Sequence, residues 1–230
     1  RYVVEGGSRV EVRDLTIAGR PPQQIGFDRT KGIFLQGGAG QLVSGCDIRG
    51  FGFGVCAEKL VIGDPCVIRD TILAGCRCGV RLAGRGARCA ISRCAIKDSH
   101  SQGVLLKYMD AAVLLSTTFE GSGLAVKYVG QVEIVACAFR NCGSYAIGTS
   151  FGALTLDSSL ITDAEDAIQM CEYTSIAIRN STIAHCNWPV GGDGDVRVAS
   201  SIFWGNARRL SDPSIARMVS EVVTSNIEGG

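Results

Sequence analysis

Residues 178–186 read IRNSTIAHC, and the same shape returns as IRDTILAGC at 68–76 and IVACAFRNC at 134–142. Each has an aliphatic residue, a small Ser, Thr or Cys three positions on, and an aliphatic or aromatic residue two after that. Aligning the chain on the small residue gives one column: Leu15, Cys46, Thr71, Cys94, Thr117, Cys137, Ser159, Ser181, Ser201, Ser225. After a first gap of 31 the steps are 25, 23, 23, 20, 22, 22, 20 and 24 residues. Two residues later runs an apolar column from Ile17 through Ile48, Leu73, Ile96, Phe119 and Phe139 to Ile227. Three residues before the small column runs another, from Val12 through Val43, Ile68 and Ile91 to Val222. The period-two spacing from the small residue to the next apolar one reads as a strand with one face buried.

A further column follows the small residue by four: Gly19, Gly50, Gly75, Asp98, Gly121, Asn141, Asp163, His185, Gly205, Gly229. Gly, Asn, Asp and His best tolerate a left-handed backbone, so each cycle is expected to turn there. A Gly–aliphatic pair such as Gly54-Val55 or Gly79-Val80 then opens another strand. Short strands and turns at a 20–25-residue period, without a competing helical period, predict an all-β solenoid of about ten coils. Stacked coils lie about 4.8 Å apart, so equivalent residues meet in ladders. One domain is expected over 1–230, a piece of a longer chain in view of the ends RYVVEGGSRV and NIEGG.

Composition narrows the partners. The chain has 23 basic and 22 acidic residues and a pI near 7.6, which gives no general pull toward nucleic acid or an anionic membrane. No apolar run is long enough to suggest a membrane span. The eleven Cys show no zinc-like spacing, so neither metal nor cofactor is expected. Cys46, Cys94 and Cys137 read as small buried hydrophobes two coils apart. Cys66 and Cys89 fall in adjacent coils, where a disulfide is conceivable but slightly strained.

The I-x-x-[S/T/C]-x-I-x-G/N unit and the Gly–Ile/Val restart resemble the right-handed parallel β-helix superfamily, the coil family of pectate lyases and polygalacturonases, from about residue 9 to 230. The resemblance implies a right-handed coil and a ligand, usually a polysaccharide, lying along an outward strand ladder near the middle coils. It implies no catalytic set. The NTD, DD, GHG and RIK motifs of polygalacturonase-like hydrolases are missing, as is the DPHD motif of alginate epimerase-like enzymes.

Outward positions supply the candidates. Lys97, Glu120 and Arg140 share one column. They read as acid/base groups on an acidic sugar or as a surface ladder of alternating charge. His100, in a turn one residue longer than its equivalents, is a candidate base beside Lys97 or a solvated turn residue. Lys107 and Lys127 stack in adjacent coils, and so do Tyr108 and Tyr128, with Glu172 near the same column. Stacked lysines repel unless an anion sits between them, and tyrosines suit sugar rings. The alternative is a solvated edge with Lys stems over Tyr rings. Trp204, with Trp188, is a candidate sugar platform or loop packing. Two insertions, 20–31 and 206–218, are read as loops, the second with a local basic patch. GGDGD at 191–195 is read as a plain turn.

Two functions follow as expectations. One is a polysaccharide-recognising or scaffold module of an exported or cell-surface protein, with an end-to-end or flanking-domain contact at its C-terminal coil. The alternative is a lyase, epimerase or hydrolase acting on an acidic glycan.

Overall fold

The computed structural model of the chain describes residues 2–6, 9–19, 30–208, 210–223 and 225–227. Its strands are parallel and fall on three faces of a coil. The first face holds Lys31–Gly38, Phe53–Leu60, Cys78–Ala83, Gln102–Lys107, Leu124–Lys127 and Tyr145–Ser150. The second holds Leu42–Ser44, Cys66–Arg69, Arg88–Ser92, Ala111–Leu115, Gln131–Val135 and Gly152–Asp157. The third is a sheet of ten three- or two-residue strands, from Thr16–Ala18 to Asn226–Ile227. The first two faces join into one 17-stranded sheet, because the long strand Asp166–Arg179 runs through both.

The apolar columns are interior files. Ile17, Ile48, Leu73, Ile96, Phe119, Phe139, Ile161, Ile183 and Phe203 pair in unbroken register down the third face. Val43, Ile68, Ile91, Leu114, Ile134 and Leu156 do the same on the second. At mid-coil, Phe119 and Phe139 stack with ring centroids 4.4 Å apart. Burial of these files removes apolar surface at about 25 cal/mol per Å², the main favourable contribution to folding.

The small column is a hydrogen-bond ladder between coils. The Ser181 hydroxyl accepts from the Ser159 amide at 3.2 Å and donates to the Arg179 carbonyl at 2.6 Å. Ser159, Ser201, Thr71 and Thr117 repeat both bonds. At these rungs, removing the hydroxyl would leave a buried amide unpaired.

The turn column is left-handed from Gly50 to Gly205, including Asp98, Asn141, Asp163 and His185. Gly19 differs: its backbone is not left-handed. A second left-handed column, absent from the sequence reading, stands just before the small residue: Asp14, Gly45, Asp70, Arg93, Ser116, Ala136, Ser158, Asn180 and Ser200. Arg93 and Ala136 gave no compositional signal there. The restart glycines are required by space. A Cβ on Gly54 would stand 2.6 Å from the Gly79 carbonyl oxygen and 2.7 Å from Leu73 Cδ2.

Other local expectations change. GGDGD is part of the strand Gly191–Ala199, not a plain turn, because Gly192 at φ +104° sits against the Met170 backbone where a Cβ could not. The 206–218 segment folds as a short helix, Pro213–Ala216, capped by Asp212. Its basic patch is neutralised where described: Arg208 pairs with Asp212 at 3.3 Å and Arg217 with Asp193 at 3.5 Å. Arg209 and residues 20–29 of the first insertion lie outside the described residues. Cys66 and Cys89 are in register, buried and free.

Candidate functional site

The corner between the first and second faces must turn sharply in every coil. Gly37, at φ +71°, makes that turn without steric cost. At the same place in later coils stand Tyr108, Tyr128, Phe151 and Tyr173, all left-handed with φ between 55° and 62°. A bulky residue in that conformation costs about 1–2 kcal/mol. The side chains form an outward ladder: Tyr108–Tyr128 centroids are 5.3 Å apart, Tyr128–Phe151 4.9 Å and Phe151–Tyr173 5.6 Å, with planes within 20° of parallel. All are exposed, Tyr128 by 49%. Each stacked pair returns about 0.5–1.5 kcal/mol, which offsets part of the strain. The left-handed backbone recurs at the other corners, as at Arg93 and Ala136, so what sets this corner apart is its row of exposed rings.

One residue before the rings, on the first face, Lys107 pairs directly with Lys127, and Lys127 with Ser150. Neither ammonium has a carboxylate within 4.0 Å among the described residues. The stacked like charges are therefore uncompensated there. The Glu172 side chain, placed near this column by the sequence, lies outside what is described. Two or three residues after the rings, the second face carries a shallow cavity of about 240 Å³ lined by Ala111, Gln131, Glu133, Ala153 and Thr155. Rings, lysines and this depression form one stripe along the coil axis. The inner rings share their faces with neighbours, so they offer edges outward, the positive part of the ring quadrupole. The two lysines are the cationic part of this stripe and Glu133 its anionic part.

The model of the family described as right-handed β helix region matches residues 78–226, well over half of the chain. The chain belongs to the right-handed β-helix family. Another β-helix, the alginate lyase from Paenibacillus sp. str. FPU-7, superposes on 98% of this chain and 92% of its own with a TM-score of 0.61 at 10% identity. That is a likeness of fold. A plasmid-mediated fluoroquinolone resistance protein covers the same shares at a TM-score of 0.36 and 9% identity. No curated protein matches the chain.

The remaining candidates of this β-helix lie elsewhere. Lys97, Glu120 and Arg140 stack in register on the third face, exposed, with no ion pair within 4.0 Å between them. His100 is exposed in the turn from the third to the first face, its Nδ1 3.4 Å from the Cys76 carbonyl oxygen. Lys107 and Tyr108 stand at the far end of the strand Gln102–Lys107 from this group. The six ionic candidates therefore do not converge on one pocket. Trp204 is 54% exposed above Ala184 on the third face. Trp188 is half-buried beneath the Arg208 guanidinium at 5.0 Å and bridges Asp166, so the two tryptophans form no common platform. Among the described residues, no cluster of His, Cys, Asp and Glu is placed to hold a metal ion. Sequence reasoning missed Phe151 and Tyr173, because the corner loses one residue at the Phe151 coil and regains one at the Tyr173 coil, which shifts the alignment. Their position before a Gly or Thr that opens a second-face strand, as in FGALTLD and YTSIAIR, could have revealed them.

Proposed function

We propose that the chain is the polysaccharide-recognising part of an exported or cell-surface β-helix protein, and that its ligand is an acidic glycan lying along the stripe from Lys107 and Tyr108 to Tyr173. The observation that carries this reading is the Lys107–Lys127 pair, with no carboxylate within 4.0 Å among the described residues, set against an exposed aromatic ladder. Carboxylates of a uronic acid chain would relieve the lysine repulsion. Ring edges and tyrosine hydroxyls would meet its hydroxyls and carboxylates. The rung spacing, about 4.8 Å, is close to the advance of one unit in an extended sugar chain, so successive units can meet equivalent residues. The polar rim of Gln131, Glu133 and Thr155 suits hydroxyl recognition.

The alternative is an enzyme processing such a glycan. It needs a base and a cation facing the same sugar. His100 and Lys97 stand across the first face from the lysine pair, which favours binding over chemistry. Affinity electrophoresis through gels containing polygalacturonate, alginate or a neutral glucan tests the proposal, with unsaturated-product absorbance and reducing ends followed in parallel. Retardation in an acidic gel, lost in Lys107→Ala/Lys127→Ala and without product, is the expected result. Equal mobility in every gel would overturn it, and product formation would favour the enzyme.

A further inference from the structure

The aromatic ladder ends at Tyr173 in an unusual way. On the preceding coil the residues between the paired positions are Ser150 and Phe151, while on its own coil they are Cys171, Glu172 and Tyr173. On the following coil only Asp193 stands between Gly192 and Gly194, which pair with Met170 and Thr174. The corner thus lengthens by one residue and then shortens by two. Tyr173 overhangs a recessed step floored by two glycines. One face of its ring stacks on Phe151, and among the described residues no ring covers the other. Tyr173 is 77% exposed, the most exposed of the four rings. The inner rings, sandwiched by neighbours, have no such free face.

Asp193 stands at the same corner one coil on, and Arg217 approaches it at 3.5 Å, with both side chains mostly in solvent. A carboxylate and a guanidinium at that separation can together hold vicinal hydroxyls, one accepting and the other donating. An apolar ring face over a donor–acceptor pair fits a sugar ring, which has an apolar C–H face and a polar edge. An aromatic side chain from a protein partner would leave the pair unused.

We propose that the overhanging face of Tyr173, with Asp193 and Arg217 beneath it, is the terminal subsite of the stripe and takes one sugar ring of the acidic glycan by face-on stacking. The inference rests on the stripe reading. Lys107 and Lys127 supply charge attraction along the chain, while Tyr173 anchors one end and sets the register.

The test is calorimetric titration with defined-length oligogalacturonates and alginate oligomers. The variants are Tyr173→Gly, Tyr173→Phe and Asp193→Ala, beside Lys107→Ala/Lys127→Ala. Glycine suits the left-handed backbone at 173, so Tyr173→Gly keeps the fold, checked by its melting temperature. Tyr173→Gly is expected to weaken binding about tenfold while leaving the salt dependence intact, and Tyr173→Phe to bind like the parent. Asp193→Ala should weaken binding less, and the double lysine variant should lose the salt dependence. If the parent binds an oligomer and Tyr173→Gly binds it equally well, the terminal subsite is wrong while the stripe stands. If the parent binds none of the oligomers, the stripe and its subsite both fall.

Discussion

Single residues of this chain carry two separable tasks, fitting a corner and satisfying a buried amide. Ser181 does both, so Ser181→Ala should leave the Ser159 amide unpaired and cost about 1–3 kcal/mol in urea unfolding. Cysteines fill other corners of the column, where the thiol faces carbonyl oxygens. The Cys94 thiol lies 3.3 Å from the Ser92 carbonyl oxygen, while the Cys94 amide is bonded to the Thr117 hydroxyl of the next coil. Burial pushes the Cys66 thiol up to about 12 and that of Cys94 up to about 11. Such thiols stay protonated and unreactive at neutral pH. Cys171 is the exposed cysteine among the eleven. A thiol reagent on native protein at pH 8 should therefore label one residue quickly, Cys171 by peptide mapping, and the rest after denaturation. Rapid native labelling of several cysteines would contradict the buried ladders.

At the scale of elements, the restart and turn glycines separate packing from backbone conformation. Gly75 at φ +58° has nothing within 4 Å of an added Cβ, so Gly75→Ala should cost only the left-handed conformation, about 1–2 kcal/mol. Gly54→Ala meets backbone and the Leu73 side chain, and should destabilise more, through displacement of the next coil. Comparing the two midpoints in urea checks the order. In the aromatic corner, Tyr173→Gly exchanges one stack, about 0.5–1.5 kcal/mol, for relief of about 1–2 kcal/mol of strain. Its melting temperature is expected at or slightly above that of the parent, whatever happens to binding.

For the whole molecule, coil stacking makes stability a sum over neighbouring rungs. The buried thiols give it a pH dependence. Cys56, Cys66, Cys78, Cys94, Cys137 and Cys142 all have raised values because burial disfavours the thiolate. Between about pH 9 and 12 the unfolded chain has lost protons that the folded one keeps. Stability is therefore full below pH 9 and should fall as pH rises above it, more steeply than for a chain with few buried thiols. Melting curves from pH 7 to 10.5 measure this, and a flat profile would refute it. The interior files, the ladder at the small column and one of the left-handed turn columns were legible in the sequence, because stacking forces equivalent residues to share one environment and so leaves a period. So was the vertical pairing of Lys107 with Lys127 and of Tyr108 with Tyr128, since alignment within a coil is alignment in space. The left-handed Arg93 and Ala136, the helix after Asp212 and the ring ladder beyond Tyr128 were not legible. Those features depend on how far each coil reaches at a given corner, and a one-residue insertion there changes depth without disturbing the interior period. Sequence alone determined which residues stack above one another. Only tertiary structure decided which face each column occupies, because three faces meeting at corners put Lys97 on the third face and Lys107, ten residues on, at the far end of the first.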